Sequence, residues 1–263
     1  MVQFRGKLKF RTTKFTELTD SQWEVIKEIV DNGRKRKYCL RNITNAILKV
    51  VRTGVQWRNI DEKYPPWESV YYYFRKFQKN GFWDEILKQL VELERVRQKR
   101  NPEPSRIAVD SQSSKIGSLI SIETGIDGNK KVNGRKRHIA VDCLGLPMAL
   151  HVSAANCHDG TEGRELLWQL APIKRLETIA ADGTYKGQFE KDADWYNWTV
   201  EITQKPPSEK GFVPQSARWQ VERSFGWFNF FRRLSRDFEK TTQSSVCFMQ
   251  LAFISIILAR LEN

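Results

Sequence analysis

Three acidic residues stand where carboxylates can share a cation. Asp110 closes the apolar run Ile107-Ala108-Val109, and Asp182 closes Thr178-Ile179-Ala180-Ala181. Glu222 lies in RWQVERSFGW (218–227), a stretch of aromatic and basic residues that reads as a helix. Two carboxylates at strand ends and a third on a later helix are able to hold two divalent ions at the edge of a sheet, the arrangement that cuts and joins phosphodiesters. Magnesium prefers carboxylate oxygens and keeps several waters, so three protein ligands suffice. Each residue also has an ordinary explanation. Asp110 can terminate a strand, Asp182-Gly183 can form a turn, and Glu222 can pair with Arg218 four residues earlier. Asp142 follows Ile139-Ala140-Val141 and competes for a metal role, although a structural one is expected of it.

The elements that would position these residues change character near residue 100. Before it the pattern is helical. Thr19-Asp20 should cap a helix over 21–30, followed by helices over 43–52, 67–79 and 82–96. Short helices with a final basic and aromatic one suggest a helix-turn-helix module whose recognition helix runs from Glu68 to Lys79. Arg75, Lys76 and Lys79 on that helix, and Arg34, Lys35, Arg36 and Lys37 in a loop, are the expected DNA contacts. The proline-bearing stretch 95–105 reads as a linker. Beyond it, strand-like runs occur at 107–110, 138–142, 147–153, 178–182 and 198–203, with helix-like segments over 160–170 and 187–195. Three strands without intervening helices would form an antiparallel meander, and parallel strands reached by crossover helices would follow. That order matches a ribonuclease-H-like α/β fold with a mixed five-stranded sheet and flanking helices. The expected organisation is a helical DNA-binding domain and linker at 1–100 and a catalytic domain at 101–263.

Charge divides along the same line. The chain carries a formal +13, and residues 1–106 hold 24 Lys/Arg against 13 Asp/Glu. The remainder is nearly neutral. A basic first part beside a neutral second part suggests a nucleic-acid grip joined to a domain that does chemistry. The cluster Arg135, Lys136 and Arg137 reads as a further phosphate contact, as does Arg218. Cys39, Cys143, Cys157 and Cys247 form no CxxC pair, which argues against a zinc site or a disulfide framework and for reduced thiols in the cytoplasm. Cys157-His158 is expected to be an incidental loop pair, and Trp219, Phe225 and Trp227 are expected in the core. No signal peptide is evident at the N-terminus. The apolar stretch Val246 to Leu261 is short for a membrane span and reads as a buried C-terminal helix.

From about Leu18 to its end the chain resembles bacterial insertion-sequence transposases with a DDE site, particularly the insertion-sequence-five family. The resemblance rests on LTDSQW (18–23), NAIL (45–48), RTGVQWR (52–58) and PPWESVYYYFR (65–75). It continues in DSQS (110–113), NGRKRH (133–138), VDCLG (141–145), ADGTYKG (181–187), RWQVERSFGW (218–227) and FRRLSRDFE (231–239). The resemblance implies that Asp110, Asp182 and Glu222 are a catalytic, metal-binding triad using two Mg2+ or Mn2+ ions. It implies double-stranded DNA as partner, both inverted-repeat ends and target, and a homodimer or larger assembly on that DNA in the bacterial cytoplasm, associated with the nucleoid. Related transposases carry a tyrosine three residues before the arginine and a lysine seven after the glutamate, where this chain has Gln215 and Asn229. Arg232 and Arg233 are the candidates for the missing positive charge. A nuclease of the same fold that cuts without joining, or a former transposase kept as a DNA-binding regulator, are the competing functions.

Overall fold

The structure is a computed structural model and describes residues 14–31, 33–117, 121–203 and 218–261. Contacts divide the chain into two compact units. One comprises Met1–Arg97, Asn229–Ser235 and Cys247–Asn263, and the other Gln98–Phe228 and Arg236–Val246. A single cut near residue 100 therefore marks the first crossing between units, but the last part of the chain returns to the first.

The helical unit contains α1 (Asp20–Val30), α2 (Leu40–Thr53), α3 (Trp67–Lys79) and α4 (Phe82–Arg97). Thr19 caps α1 through a capping box, its hydroxyl accepting from the Gln22 amide while the Gln22 side chain accepts from the Thr19 amide. Gly54 ends α2 in the left-handed conformation at φ 71°, and a Cβ there would lie 3.0 Å from Arg232 Cβ. On α3, Val70, Phe74 and Phe77 are buried, and Phe74 packs on Trp57 and Phe248. Residues 54–66 separate α2 from α3, a longer connection than the three- or four-residue turn of a compact helix-turn-helix.

The second unit is built on β1 (Arg106–Lys115), β2 (Gly125–Asp127), β3 (Val132–Val141), β4 (Pro147–Ala154), β5 (Thr178–Ala181) and β6 (Thr199–Ile202). The sheet runs β2-β3-β1-β5-β6, with β4 also pairing to β3. Pairing is antiparallel among β1, β3 and β4 and parallel from β1 through β5 to β6. The meander followed by parallel strands agrees with the sequence pattern, and β2 is an addition to it. Two short helices, α5 (Asp159–Glu162) and α6 (Arg164–Leu170), precede β5, and α7 (Gln188–Asp194) precedes β6. Ile107, Val109, Ala140, Leu166, Leu170, Ile179, Ala181 and Phe189 form one core. By strand alternation Ala108, Ile139, Val141 and Ala180 face the other way. Against β1 and β3 packs α8 (Trp219–Phe228). The last helix, α9 (Thr242–Leu261), is long and apolar enough to cross a membrane, but 72% of its apolar window is buried inside the protein.

One expectation fails here. Arg135, Lys136 and Arg137 are not a phosphate-binding surface, because Gly134 through Val141 of β3 are buried on both faces of the sheet. Arg135 is 0% exposed and donates to Asp237, Ser245 Oγ and the carbonyls of Ile122, Glu239 and Lys240. Its guanidinium thus ties the segment after residue 235 to the sheet. Arg137 lies over the Phe228 ring, and burial pushes its pKa down to about 10 against the pull of Asp237. Lys136 pairs with Asp159 at 2.9 Å and donates to the Cys157 carbonyl.

Replacing Arg135 with alanine would strip the buried Asp237 of its ion-pair partner, leaving only the more distant charge of Arg137. The expected loss is about 3–5 kcal/mol of stability in urea denaturation; a variant as stable as the parent contradicts the tie. Beside Lys136, the buried His138 imidazole bonds Ser153 Oγ at 2.9 Å. Burial depresses its pKa to about 4, with Asp159 and Glu162 opposing and His151 and Lys136 reinforcing the shift. The unfolded imidazole gains its proton near pH 6.5 and the folded one only near 4, so His138 stabilises the fold fully above about 6.5 and progressively less down to about 4. His138→Gln should flatten stability across that window, as read from denaturation midpoints at stepped pH.

Candidate active site

Register brings two of the three acidic residues together. β1 and β5 are parallel neighbours in which Ala108 is the Cα partner of Ala180. Asp110 and Asp182 each lie two positions further on, so both stand on adjacent strands at the same level. Neighbouring strands lie about 4.8 Å apart. Even offsets preserve the face, which places both carboxylates on the side where α8 packs.

The carboxylates are held by backbone and by one cation. Asp110 Oδ1 accepts from the Ser111 amide at 2.7 Å, and Asp182 Oδ1 accepts from the Thr184 amide at 2.9 Å and from the Thr184 hydroxyl. Their other oxygens turn to Arg218, whose Nη2 lies 2.5 Å from Asp110 Oδ2 and 3.7 Å from Asp182 Oδ2. Burial holds the Asp110 carboxyl above its usual range, and the charge of Asp182 adds to this while Arg218 and the Ser111 amide oppose it. Burial alone would lower the Arg218 pKa, but Asp110, Asp182 and Glu222 together raise it. Glu222 is thus an electrostatic neighbour of Arg218, one turn along the same chain segment. Its Oε2 and Arg218 Nε are buried with no hydrogen-bond partner among the described residues.

The sequence-nominated triad therefore gathers around a guanidinium. No group of three His, Cys, Asp or Glu side chains among the described residues is arranged to hold one metal ion. The donor set nevertheless suits a hard divalent cation, since Arg218 already stands as a cation between two carboxylates and Glu222 keeps an unpartnered oxygen beside it.

Tyr185, three residues after Asp182, was not singled out from sequence; it packs against Phe189 in the core on the other face of the sheet. Its hydroxyl is buried without a partner among the described residues. Burial first, then the charges of Asp110, Asp159 and Asp182, raise its pKa well above 10. The available signal was its place in ADGTYKG, where the turn Gly183–Tyr185 follows the carboxylate directly. Asp159 reaches the same neighbourhood from α5.

Other nominated residues go elsewhere. Asp142 is structural: its Oδ1 accepts from the amides of Leu144 and Leu146, supporting a turn in which Gly145 adopts φ 74°. His158 accepts from the Gly160 amide through its own ring. Phe225 and Trp227 are buried, whereas Trp219 is 43% exposed. None of the four cysteines is in a disulfide. Within the helical unit, Tyr72, Arg75, Lys76 and Lys79 line an exposed strip of α3 at helical spacing. Arg75 donates to Gln78, and the Lys76 ammonium lies 5.9 Å from the Tyr72 ring centre. Arg34, Lys35 and Lys37 are exposed, and Arg36 pairs with Asp31. Arg232 and Arg233 belong to the helical unit, Arg232 exposed and Arg233 against the Phe248 ring. Gln215 lies outside the described residues.

Comparison with known proteins agrees with this chemistry. The family described as "Transposase DDE domain" matches residues 101–258, and "Putative transposase of IS4/5 family" matches residues 18–87. A protein of Burkholderia cepacia described as "Putative transposase for insertion sequence element IS402" is 29% identical over 126 residues. The match covers 45% of this chain and 60% of that protein.

Proposed function

We propose that this chain, which belongs to the DDE-domain transposase family, binds the inverted-repeat ends of an insertion sequence, cuts them and joins them to target DNA. The observation that carries this reading is the approach of Asp110 and Asp182, from neighbouring parallel strands, to the one guanidinium of Arg218, with Glu222 four residues further along the same segment. Asp110 and Asp182 would hold divalent ions, Mg2+ or Mn2+, two per site, with Glu222 as the third ligand. Such ions, when bound, neutralise charge on the phosphate and make water nucleophilic. The mixed sheet with α8 on the carboxylate face is consistent with a ribonuclease-H-like fold.

The chain's own groups would do the rest. Asp110 lies within β1 and Asp182 just past the end of β5, so the strand pairing holds both carboxylates at one level. Arg218 would orient the scissile phosphate, since a guanidinium matches phosphate oxygens in a planar fork. Water displaces the 3′-oxygen at the element's end, releasing a 3′-hydroxyl. That hydroxyl attacks a target phosphodiester in line, displacing the target strand's 3′-oxygen, with no protein-bound intermediate. Two ends must meet, which calls for a dimer or larger assembly on DNA. The exposed strip of α3 and the 34–37 loop would grip duplex DNA. Of the motif positions that relatives fill with tyrosine and lysine, Gln215 and Asn229 supply neither, and Arg232 or Arg233 would provide positive charge in their place.

Cleavage and joining on duplexes carrying the element's ends, with Mg2+, test the reading. Asp182→Asn should lower both by roughly a hundredfold or more, since a metal ligand supports several kcal/mol of charge stabilisation; full activity would remove Asp182 from the site. Cleavage without end-to-target joints would instead make the protein a nuclease. Binding should weaken steeply with salt as counterions are released, and Lys76→Ala should reduce the slope of log K against log salt by about 1. An unchanged slope would take Lys76 off the DNA.

A further inference from the structure

Asp110 and Asp182 are like charges on neighbouring strands, and Arg218 is the cation that holds them. The three side chains are only 13%, 19% and 30% exposed for Arg218, Asp110 and Asp182, so solvent screens this contact less than it would a surface pair. The guanidinium is incompletely served there. Its Nη2 faces both aspartates, while its Nε is buried with no acceptor among the described residues. A phosphate presents several acceptor oxygens to the planar fork and can satisfy donors that this carboxylate geometry leaves unmet.

The oxygens of Asp110 and Asp182 not taken by backbone amides face Arg218, so a divalent cation held by this pair would compete with the guanidinium. A guanidinium and a divalent ion drawn to the same carboxylates repel each other, which opposes joint occupancy. We propose that Arg218 is an exchangeable counter-ion: it occupies the acidic pair and excludes divalent ions until a DNA phosphate draws the guanidinium away. Resting on the reading of Asp110 and Asp182 as cation ligands, this adds a coupling between the two ligands. Phosphate that takes Arg218 strengthens metal binding, and by reciprocity metal strengthens phosphate binding by the same factor. A protein so built would load its metals on DNA and keep its carboxylates neutralised away from it. Arg218 therefore has two duties in sequence, as a placeholder and then as a phosphate clamp. Glu222, four residues on and with an unpartnered Oε2, would join the metal ligands only after Arg218 leaves.

The test is Mn2+ binding to the full chain by calorimetry, with and without a short DNA duplex, after subtracting Mn2+ bound by DNA alone. Arg218→Gln should bind Mn2+ on the order of ten- to a hundredfold more tightly than the parent without DNA. DNA should tighten Mn2+ binding by the parent and change that of Arg218→Gln little. Arg218→Lys retains a charge that cannot span both aspartates, and should fall between the two; it also serves if the glutamine variant does not fold. Asp110→Asn should lose the Mn2+ site. If both Arg218 variants bind Mn2+ no more tightly than the parent, or if DNA leaves the parent's affinity unchanged, while Asp110→Asn still loses the site, the exchange is overturned and the metal site stands. If Asp110→Asn binds Mn2+ as well as the parent, the metal reading fails and the exchange falls with it.

Discussion

Two carboxylates set side by side on adjacent strands cannot both stay charged without a cation, and the catalytic unit is organised around that constraint. The parallel pairing of Ala108 with Ala180 puts Asp110 and Asp182 at one level and on one face. Their own strands cannot supply the cation, because the flanking positions are apolar or hydroxylic. It comes from the residue just before α8, which packs on that face and brings Arg218 to both oxygens. Glu222 arrives with it, because both are on one short stretch of chain. Sheet register and helix docking are thus a single requirement seen from two sides.

The same logic sorts the basic residues. A cation in this molecule either neutralises an internal anion or faces solvent, and coverage decides which. Arg135 and Arg137 lie on the central strand β3, where a helix, a returning segment and neighbouring strands leave no open face. Arg135 compensates by filling its donors with Asp237, Ser245 and three carbonyls. Arg75, Lys76 and Lys79 lie on a helix with one covered side, so their ends remain in solvent. Only the second kind can neutralise DNA phosphates without first breaking internal pairs.

Much of the architecture was legible in the chain. Helical spacing located the four N-terminal helices to within a few residues, with the capping pair Thr19 and Gln22 at the first of them. Apolar runs marked β1, β3, β4, β5 and β6, and their spacing indicated the change from antiparallel to parallel pairing. The expected strand end held for Asp182, which follows β5, but not for Asp110, because β1 continues through the polar residues to Lys115 by pairing with β3.

What the sequence by itself determined was local: which segments are periodic, where they stop, and which charges sit at the stops. The tertiary structure alone decided which of those charges meet. RKRH at 135–138 looks like a phosphate-binding run because basic side chains normally stay in water, yet a strand covered on both faces buries alternate residues in opposite directions. Tyr185 is buried against Phe189 and near charges that include Asp110 and Asp159, which are distant in the chain. The partition of residues 229–235 and of α9 from Cys247 onward into the helical unit is likewise invisible to any local pattern. Periodicity records which face of an element is apolar, but the partner of that face is chosen by packing and charge balance across the whole fold.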